Sequence, residues 1–266
     1  MTEPPAVVLT ISGSDSAGGA GLQADLRTFA ACGVHGVCAL TVVSAQNTYE
    51  FKSALAMPPE IVLAQIEAVL ADFSVRATKT GFLYTELNIR AIATLAEEGK
   101  LPLLVMDPVL VNMHGDGLYE AKTEMLISEL LLPKAKVITP NHLEAGRLLG
   151  RVLGDDLTAL EDAAYELIDA GPEAVVITGG RRSGTAAVDV AVCAGKTTIF
   201  ERPKIKTTNV RGSGDTLSAV VAAELAKGSS VLDAISLAHE FTTHAISRGA
   251  EWELGFGQGP ISQMRW

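Results

Sequence analysis

Short runs of apolar residues alternate with longer segments of helical periodicity along most of the chain. An unbroken apolar run of about four to eight residues is typical of a strand buried on both faces, as in a parallel sheet. Residues 6–11 form such a run, and further strands, some of them ending in a turn, are predicted at residues 37–45, 77–83, 103–109, 135–139 and 174–178. Helices are predicted for residues 22–29, 58–72, 86–97, 159–170, 216–226 and 231–248.

Strands that alternate with helices predict an α/β fold, in which a mainly parallel sheet is covered by helices on both faces. One exception is expected at residues 185–193 and 196–200, which Ala194 and Gly195 join in the manner of a hairpin. No linker, internal repeat or change of composition divides the 266 residues. The sequence therefore predicts a single domain over residues 1–266.

Charge and composition narrow the classes of function. The formal net charge is −10 and the pI is near 5.0, which argues against a nucleic-acid partner or an anionic membrane surface. No apolar run approaches the roughly 20 residues that cross a bilayer. The first residues lack the features of a signal peptide, and the three cysteines form no CxxC pair. A cytoplasmic protein is expected.

The strongest candidate site is the glycine turn that precedes the helix at 216–226. Gly212 and Gly214 can point successive backbone N–H groups inward, which forms a nest for an anion at a helix N-terminus. A carboxylate at Asp215, beside such a nest, suits a base that takes the proton from an alcohol attacking a phosphate. The alternative is that Ser213 or Asp215 simply caps the helix.

A second glycine-rich loop, residues 12–21, lies between the first strand and the first helix. This order brings backbone amides to the carboxyl end of a parallel sheet, where ligands bind in such folds. The spacing does not follow G-x-G-x-x-G, so a dinucleotide fold is disfavoured. In the alternative interpretation the loop is only a tight turn, with Asp15 a turn residue and Asp25 a solvated helix charge.

Polar residues also follow three of the other predicted strands. Gln46 carries an amide that can donate and accept together, which suits the edge of a heterocycle, although a lone Gln is more often a surface residue. Asp107 stands where its strand gives way to a loop at Pro108. Asn141 and Glu144 are three residues apart at a helix start, a spacing that also describes an ordinary capping box. The histidines show no metal-ligand spacing.

Taken in order, these motifs resemble the hydroxymethylpyrimidine kinase / phosphomethylpyrimidine kinase family of thiamine biosynthesis, within the ribokinase-like superfamily. The matching segments are residues 11–15, 18–21, 23–26, 45–48, 78–81, 107–109, 139–145, 212–219 and 257–260. The resemblance covers nearly the whole chain, and the ordered set is far more specific than any one motif.

The resemblance implies a three-layer αβα sandwich, with ATP and Mg²⁺ as cofactors and a homodimer as the assembly. The implied substrate-binding residues are Gly13, Asp25, Gln46 and Phe82. The implied ATP-binding residues are Asp107, Asn141, Thr178, Gly180 and Ser213, of which Asp107 would bind Mg²⁺ together with Glu144. The implied catalytic residues are Asp215, Arg211, Gly212 and Gly214.

Four positions depart from the family pattern. Asp215 stands where many members have cysteine, and a carboxylate that is ionised at neutral pH is a suitable base. Arg211 replaces a histidine and is expected to stabilise charge near the γ-phosphate. Thr178 replaces a common lysine, and Phe82 replaces a frequent methionine with a flatter wall for the substrate ring.

The predicted activity is ATP-dependent phosphorylation of 4-amino-5-hydroxymethyl-2-methylpyrimidine, and then of its monophosphate. The close alternative is a pyridoxal or pyridoxine kinase on the same scaffold; a sugar or nucleoside kinase is more distant. From another class, the chain could be a non-catalytic binder of the pyrimidine or of a nucleotide. The presence of Asp215, Asn141 and Glu144 argues against that alternative, because a pure binder needs no base beside a phosphate nest.

Overall fold

Nine strands and eight α-helices make up most of the computed structural model, which describes residues 3–112, 115–154, 156–179 and 185–264. The strands are β1 (Val7–Asp15), β2 (His35–Gln46), β3 (Phe51–Ala56), β4 (Val75–Thr80), β5 (Val105–Met106), β6 (Val137–Ile138), β7 (Ala174–Thr178), β8 (Ala186–Cys193) and β9 (Lys196–Pro203). The helices are α1 (Gly21–Ala31), α2 (Pro59–Asp72), α3 (Glu86–Glu97), α4 (Ala121–Leu126), α5 (His142–Leu148), α6 (Leu157–Asp169), α7 (Ser213–Lys227) and α8 (Val231–Gly249).

All nine strands join one sheet, in the order β3-β2-β1-β4-β5-β6-β7-β8-β9. Neighbouring strands are parallel from β2 through β1, β4, β5 and β6 to β7. At one edge β3 pairs antiparallel with β2, and at the other β8 pairs antiparallel with β7 and β9 with β8. The mostly parallel sheet and the hairpin of β8 and β9 are thus confirmed. The single domain over residues 1–266 stays a prediction.

Two apolar cores, one on each face of the sheet, hold the three layers together. Helices α2, α3, α5 and α6 supply one core, whose fully buried side chains include Ile66, Ile92 and Leu160. Helices α1, α7 and α8 supply the other, with Phe29 and Val221 fully buried. This arrangement confirms the predicted αβα sandwich.

The predicted strands at 103–109 and 135–139 pair over two residues each, as β5 and β6. The boundaries of β5 have a physical cause, since Leu103 and Val109 have φ angles of 43° and 44°. Neither residue can continue an extended strand in this left-handed conformation. Val109 is β-branched, so this conformation strains its backbone. The residue lies two positions after Asp107, where the chain turns sharply at the end of the sheet.

Three further features differ from the sequence prediction. The exposed edge strand β3 and the short helix α4 were not predicted. Strand β1 continues through the first half of the glycine-rich loop to Asp15, with a change of register between Ser12 and Ser14. The bulge at Gly13 explains why the glycine does not end the strand.

The carboxyl ends of the parallel strands meet at one edge of the sheet, as do the N-termini of the helices that follow them. The polar residues singled out from the sequence fall along this edge. In the ranges that the structure covers, no helix combines the length and apolar character needed to cross a membrane.

Candidate active site

The glycine turn before α7 forms without any side-chain cap. Gly212 occupies the N-cap position with a φ of 81°, and neither Ser213 nor Asp215 caps the helix. The interpretation of this motif as an ordinary cap is therefore wrong. A β-carbon at Gly212 would overlap the carbonyl oxygen of Gly19, so both the backbone angle and the available space require glycine. The turn leaves Gly214 exposed at the edge of the sheet.

Asp215 lies in the first turn of α7 beside a lysine buried inside the protein. The ammonium nitrogen of Lys79, on β4, lies 2.6 Å from Asp25, 3.5 Å from Asp215 and 4.0 Å from Asp107. The side chain of Lys79 has no exposed surface, whereas that of Asp215 is 17% exposed. Burial opposes the lysine cation, but the surrounding carboxylates outweigh it and raise the pKa of Lys79. Lys79 is thus a fixed positive charge beneath the carboxylate that can face a ligand.

Asp107 and Glu144 approach the same place from β5 and α5. The Ser218 hydroxyl donates to Asp107 over 3.1 Å. Glu144 accepts from the backbone N–H of Leu110 over 3.0 Å and of Asn141 over 2.9 Å. Asn141 accepts in turn from the first turn of α5, so the predicted capping box is confirmed. The capping box holds the carboxylate of Glu144 and the turn after Asp107 holds the carboxylate of Asp107, so the two groups keep a fixed relative position.

Burial raises the pKa of both carboxyl groups to about 7, and the negative charge of Asp215 adds to the effect. Asp25, Asp107 and Asp215 lie within 4 Å of one lysine, and Glu144 adds a fourth negative charge near Asp107 and Asp215, which leaves three negative charges in excess when all are ionised. Among the described residues no three Asp, Glu, His or Cys side chains are grouped to hold a metal ion. Two carboxylates fit Mg²⁺, which keeps several waters and takes phosphate oxygens as its other ligands.

The first glycine-rich loop wraps around a carboxylate of its own. Asp15 accepts from the backbone N–H groups of Ala17, Gly19 and Ala20 at 2.9, 3.0 and 3.0 Å. Arg211 donates to the same carboxylate over 3.0 Å. Asp15 is therefore the centre of the loop rather than an ordinary turn residue. The expected contact of Arg211 with a γ-phosphate stays a prediction, because its guanidinium lies on Asp15 here.

Of the predicted substrate-binding residues, Gly13 and Phe82 lie close together, and Gln46 contacts Ser16 in the first glycine-rich loop; their binding of a substrate stays a prediction. A β-carbon on Gly13 would lie 3.6 Å from the ring of Phe82, which makes edge contacts with Tyr84 and Tyr119. The backbone of Gln46 is fixed by the Ser16 hydroxyl. Within the described residues its side-chain amide has no hydrogen-bond partner, so its donor and acceptor are both available to a ligand.

Asp25 differs from the other predicted substrate residues. It is fully buried, and its two oxygens accept from Thr10 and Lys79, each over 2.6 Å. It is neither the solvated helix charge of the alternative interpretation nor open to a ligand in this structure. Its link to the site runs through Lys79.

Strand β7 ends at Thr178, one of the predicted nucleotide contacts. Thr178 pairs with Asn141, and its N–H donates to the carbonyl of Pro140 over 3.0 Å. The next N–H, of Gly179, donates to the buried carboxylate of Asp189 over 3.0 Å. Gly180 lies outside the described residues.

Two residues of the site were missed from the sequence. A lysine in a run expected to be buried is itself a signal, because a buried cation needs a carboxylate partner. Lys79 lies in the matching segment 78–81, for which no such partner is predicted. Asn209 is buried and ties the glycine turn to the end of the chain, through bonds to the carbonyls of Gly249 and Trp252 and from the N–H of Gly259. Nothing in its local sequence indicated this role.

The profile of one protein family matches most of the chain. The family is described as phosphomethylpyrimidine kinase, and residues 15–262 match it. The chain belongs to this family. Its members include the hydroxymethylpyrimidine/phosphomethylpyrimidine kinase of Rhizobium meliloti, 40% identical over 98% of both chains. That of Streptomyces coelicolor is 41% identical over 98% of this chain and 97% of its own.

A solved relative gives the fold independently. The pyridoxal kinase of Bacillus subtilis, determined as an ADP complex, superposes with a TM-score of 0.90 at 37% identity over 97% of both chains. This member of the phosphomethylpyrimidine kinase family therefore has the ribokinase-like fold that the sequence resemblance implied.

The raised pKa values predict how stability depends on pH in the absence of metal. Folded Asp107 keeps its proton up to about pH 7, whereas the unfolded chain loses it near pH 3.8, so the folded state binds more protons between these values. The free energy of unfolding then falls as pH rises, by at most about 1.4 kcal/mol per pH unit for each such group. Asp107→Asn removes this loss, and its amide oxygen can still accept from Ser218.

The measurement is urea unfolding of both proteins in EDTA from pH 5 to 8. We expect the variant to gain stability relative to the wild type up to about pH 7 and to hold that gain above it. A difference that does not change with pH would mean that Asp107 ionises as easily in the folded protein as in the unfolded chain.

Gly212→Ala tests the glycine turn, and Gly228→Ala at the other end of α7 is a matched control. Gly228 has a φ of 95° but open space around it, so alanine there costs only the left-handed conformation, about 1–2 kcal/mol. At Gly212 the clash with Gly19 adds to that cost. We expect a larger loss of unfolding free energy, and weaker ADP binding by calorimetry, in Gly212→Ala alone. Equal losses in the two variants would contradict the close contact of the two loops.

Proposed function

We propose that this chain transfers the γ-phosphoryl group of ATP to the hydroxymethyl group of 4-amino-5-hydroxymethyl-2-methylpyrimidine, and then to the resulting monophosphate. Family membership over nearly the whole chain supports the class of reaction. The names of relatives that are 40% and 41% identical support both steps. The observation that carries the proposal is Asp215, partly exposed beside an uncapped glycine turn and above a buried lysine.

In the first step, the hydroxyl oxygen of the substrate attacks the γ-phosphorus of ATP. The bond from that phosphorus to the oxygen that bridges the β- and γ-phosphates breaks. Asp215 takes the proton of the hydroxyl group, and ADP leaves with the electron pair. The backbone N–H groups around Gly212 and Gly214 hold the phosphate whose charge develops. Little covalent chemistry falls to the protein, which mainly positions the two reactants.

Asp107 and Glu144 are the residues that would hold Mg²⁺, and Asn141 positions Glu144 through the capping box. The excess of carboxylate charge supports this assignment. When bound, the ion would neutralise the phosphates of the nucleotide. Gln46 and Phe82 would bind the edge and the face of the pyrimidine ring. Thr178, Gly180 and Ser213 would border the nucleotide.

A second candidate function is phosphorylation of pyridoxal or pyridoxine. The close superposition on a pyridoxal kinase favours it, because a substituted pyridine with a hydroxymethyl arm suits the same site. The names of the curated relatives favour the pyrimidine.

The two phosphorylation steps differ in their need for a base, which gives a sharp test of Asp215. An alcohol must lose its proton to attack, whereas a phosphate monoester is already ionised above its second pKa near 6. Asp215→Asn should therefore lower the first step by about 10²–10⁴-fold at pH 8 and the second step far less. The rates of the two steps are measured with ATP, with and without Mg²⁺, on the pyrimidine and on its monophosphate. Phosphorylation of pyridoxal, pyridoxine and adenosine is measured under the same conditions.

Asp233→Asn is the matched control, because Asp233 is also in the first turn of a helix but is exposed away from the site. It should leave every rate unchanged. An unimpaired first step in Asp215→Asn would exclude Asp215 as the base. Faster turnover of pyridoxal or pyridoxine than of the pyrimidine would favour the second candidate, and binding without turnover would overturn the kinase proposal.

A homodimer is part of the proposal. Edge strand β3 and the turn before it expose the large apolar side chains of Tyr49, Phe51 and Leu55. An apolar strand with an unpaired edge needs to be covered in solution. A second copy of the chain, pairing through the same edge, would cover it.

Leu55→Glu should convert the dimer to monomers, because it places a charge among the exposed apolar side chains of that edge. Leu232→Glu, on α8, is the control for an exposed leucine elsewhere. Sedimentation velocity over a hundredfold range of concentration measures the outcome. A wild-type protein that stays monomeric, or a Leu55→Glu dimer, would contradict this interface.

A further inference from the structure

Lys79 is the one lysine among the largest fully buried side chains of the described residues. Its strand, β4, is central in the sheet, and its flanking residues Thr78 and Thr80 are buried as well. A cation in such a place is costly unless it is paired and hydrogen-bonded. Lys79 meets that need by donating to one oxygen of Asp25 over 2.6 Å, and the hydroxyl of Thr10 on β1 donates to the other oxygen.

The ion pair with Asp25 would be sufficient if Lys79 served only the fold. The ammonium group nevertheless faces two more carboxylates, those of Asp215 at 3.5 Å and Asp107 at 4.0 Å. Asp215 has no other cation at this distance among the described residues. A β-carbon at Gly81 would lie 3.4 Å from the ammonium nitrogen and only 2.5 Å from the Ser12 hydroxyl, so the surrounding backbone encloses the lysine.

We propose that Lys79 is a positioning residue for phosphoryl transfer, whose buried charge fixes the carboxylate of Asp215 toward the reacting hydroxyl. Lys79 does not touch the substrate, since it has no exposed surface. Asp25 holds the ammonium group from the far side, so the lysine cannot move up into the phosphate nest. This inference rests on the proposed function, in which Asp215 is the base.

The geometry supports an electrostatic role for Lys79. Asp25 on α1, Asp107 after β5, Glu144 on α5 and Asp215 on α7 all bring negative charge to this region, and Lys79 brings the only positive charge within 4 Å of Asp215 in the described part of the chain. Without the lysine, no cation within 4 Å among the described residues would attract the carboxylate of Asp215, and the charges of the other carboxylates would repel it. The position of the base therefore depends on this cation.

The test separates charge from packing. Lys79→Met alone leaves Asp25 buried without a partner, which destabilises the fold. The triple variant Thr10→Val, Asp25→Leu, Lys79→Met replaces the whole hydrogen-bonded group by apolar side chains of similar size, a change that is often neutral for stability. Thr10→Val alone is the control, since it perturbs the same network without removing a charge.

The readout is the ratio of the two phosphorylation rates, from the alcohol and from the monophosphate, together with the urea midpoint of each variant. We expect the triple variant and Lys79→Met to lower the first step about 100-fold more than the second, as Asp215→Asn does. Thr10→Val should keep the wild-type ratio. This ratio does not depend on how much of a destabilised variant is folded.

One outcome would overturn the role of Lys79 and leave the proposed function intact. In that outcome the triple variant and Lys79→Met keep the wild-type ratio, while Asp215→Asn is impaired in the first step. An unimpaired Asp215→Asn would overturn the base assignment and this inference with it. A changed ratio in Thr10→Val would also overturn the inference, because it would show that packing alone moves the ratio.

Discussion

A buried ion pair is the constraint on which the site depends. Lys79 and Asp25 meet between β4 and α1, where neither reaches water. Removing either partner would leave an uncompensated charge in a low-dielectric interior, so β1, β4 and α1 are held in one relative arrangement. The same lysine faces Asp215 and Asp107. The interaction that fixes these elements therefore also fixes the two carboxylates of the site.

The two glycine-rich loops form one structural unit. Gly212 packs directly on the carbonyl of Gly19, and Arg211 spans from the second loop to Asp15 in the first. Asp15 is itself held by three backbone N–H groups of its loop. Arg211 and Asp15 are 196 residues apart in sequence, yet their loops share one packed contact, so a shift of the first loop would displace the second as well.

Local sequence predicted most elements because periodicity and glycine turns are local signals, and α3 and β7 begin and end where the apolar pattern does. It did not predict that β5 would pair over only two residues, because the left-handed angles at Leu103 and Val109 depend on tertiary contacts. The motif of Asp215 was recognised, but its uncapped geometry depends on Gly19, far away in sequence. Lys79 and Asn209 were missed because their partners lie on other elements.

The excess of negative charge connects the fold to the cofactors. Three carboxylates lie within 4 Å of Lys79, and Glu144 adds a fourth negative charge, in a site that is proposed to receive ATP, which is itself an anion. Burial already raises the pKa of Asp107 and Glu144 to about 7, so the protein alone relieves the repulsion by holding protons. A divalent cation entering with the nucleotide would replace those protons and attract both carboxylates and phosphates. Lys79 cannot take that part, because Asp25 binds it below the surface. In the proposed mechanism, the fixed cation therefore serves the base, and a divalent cation would serve the phosphates.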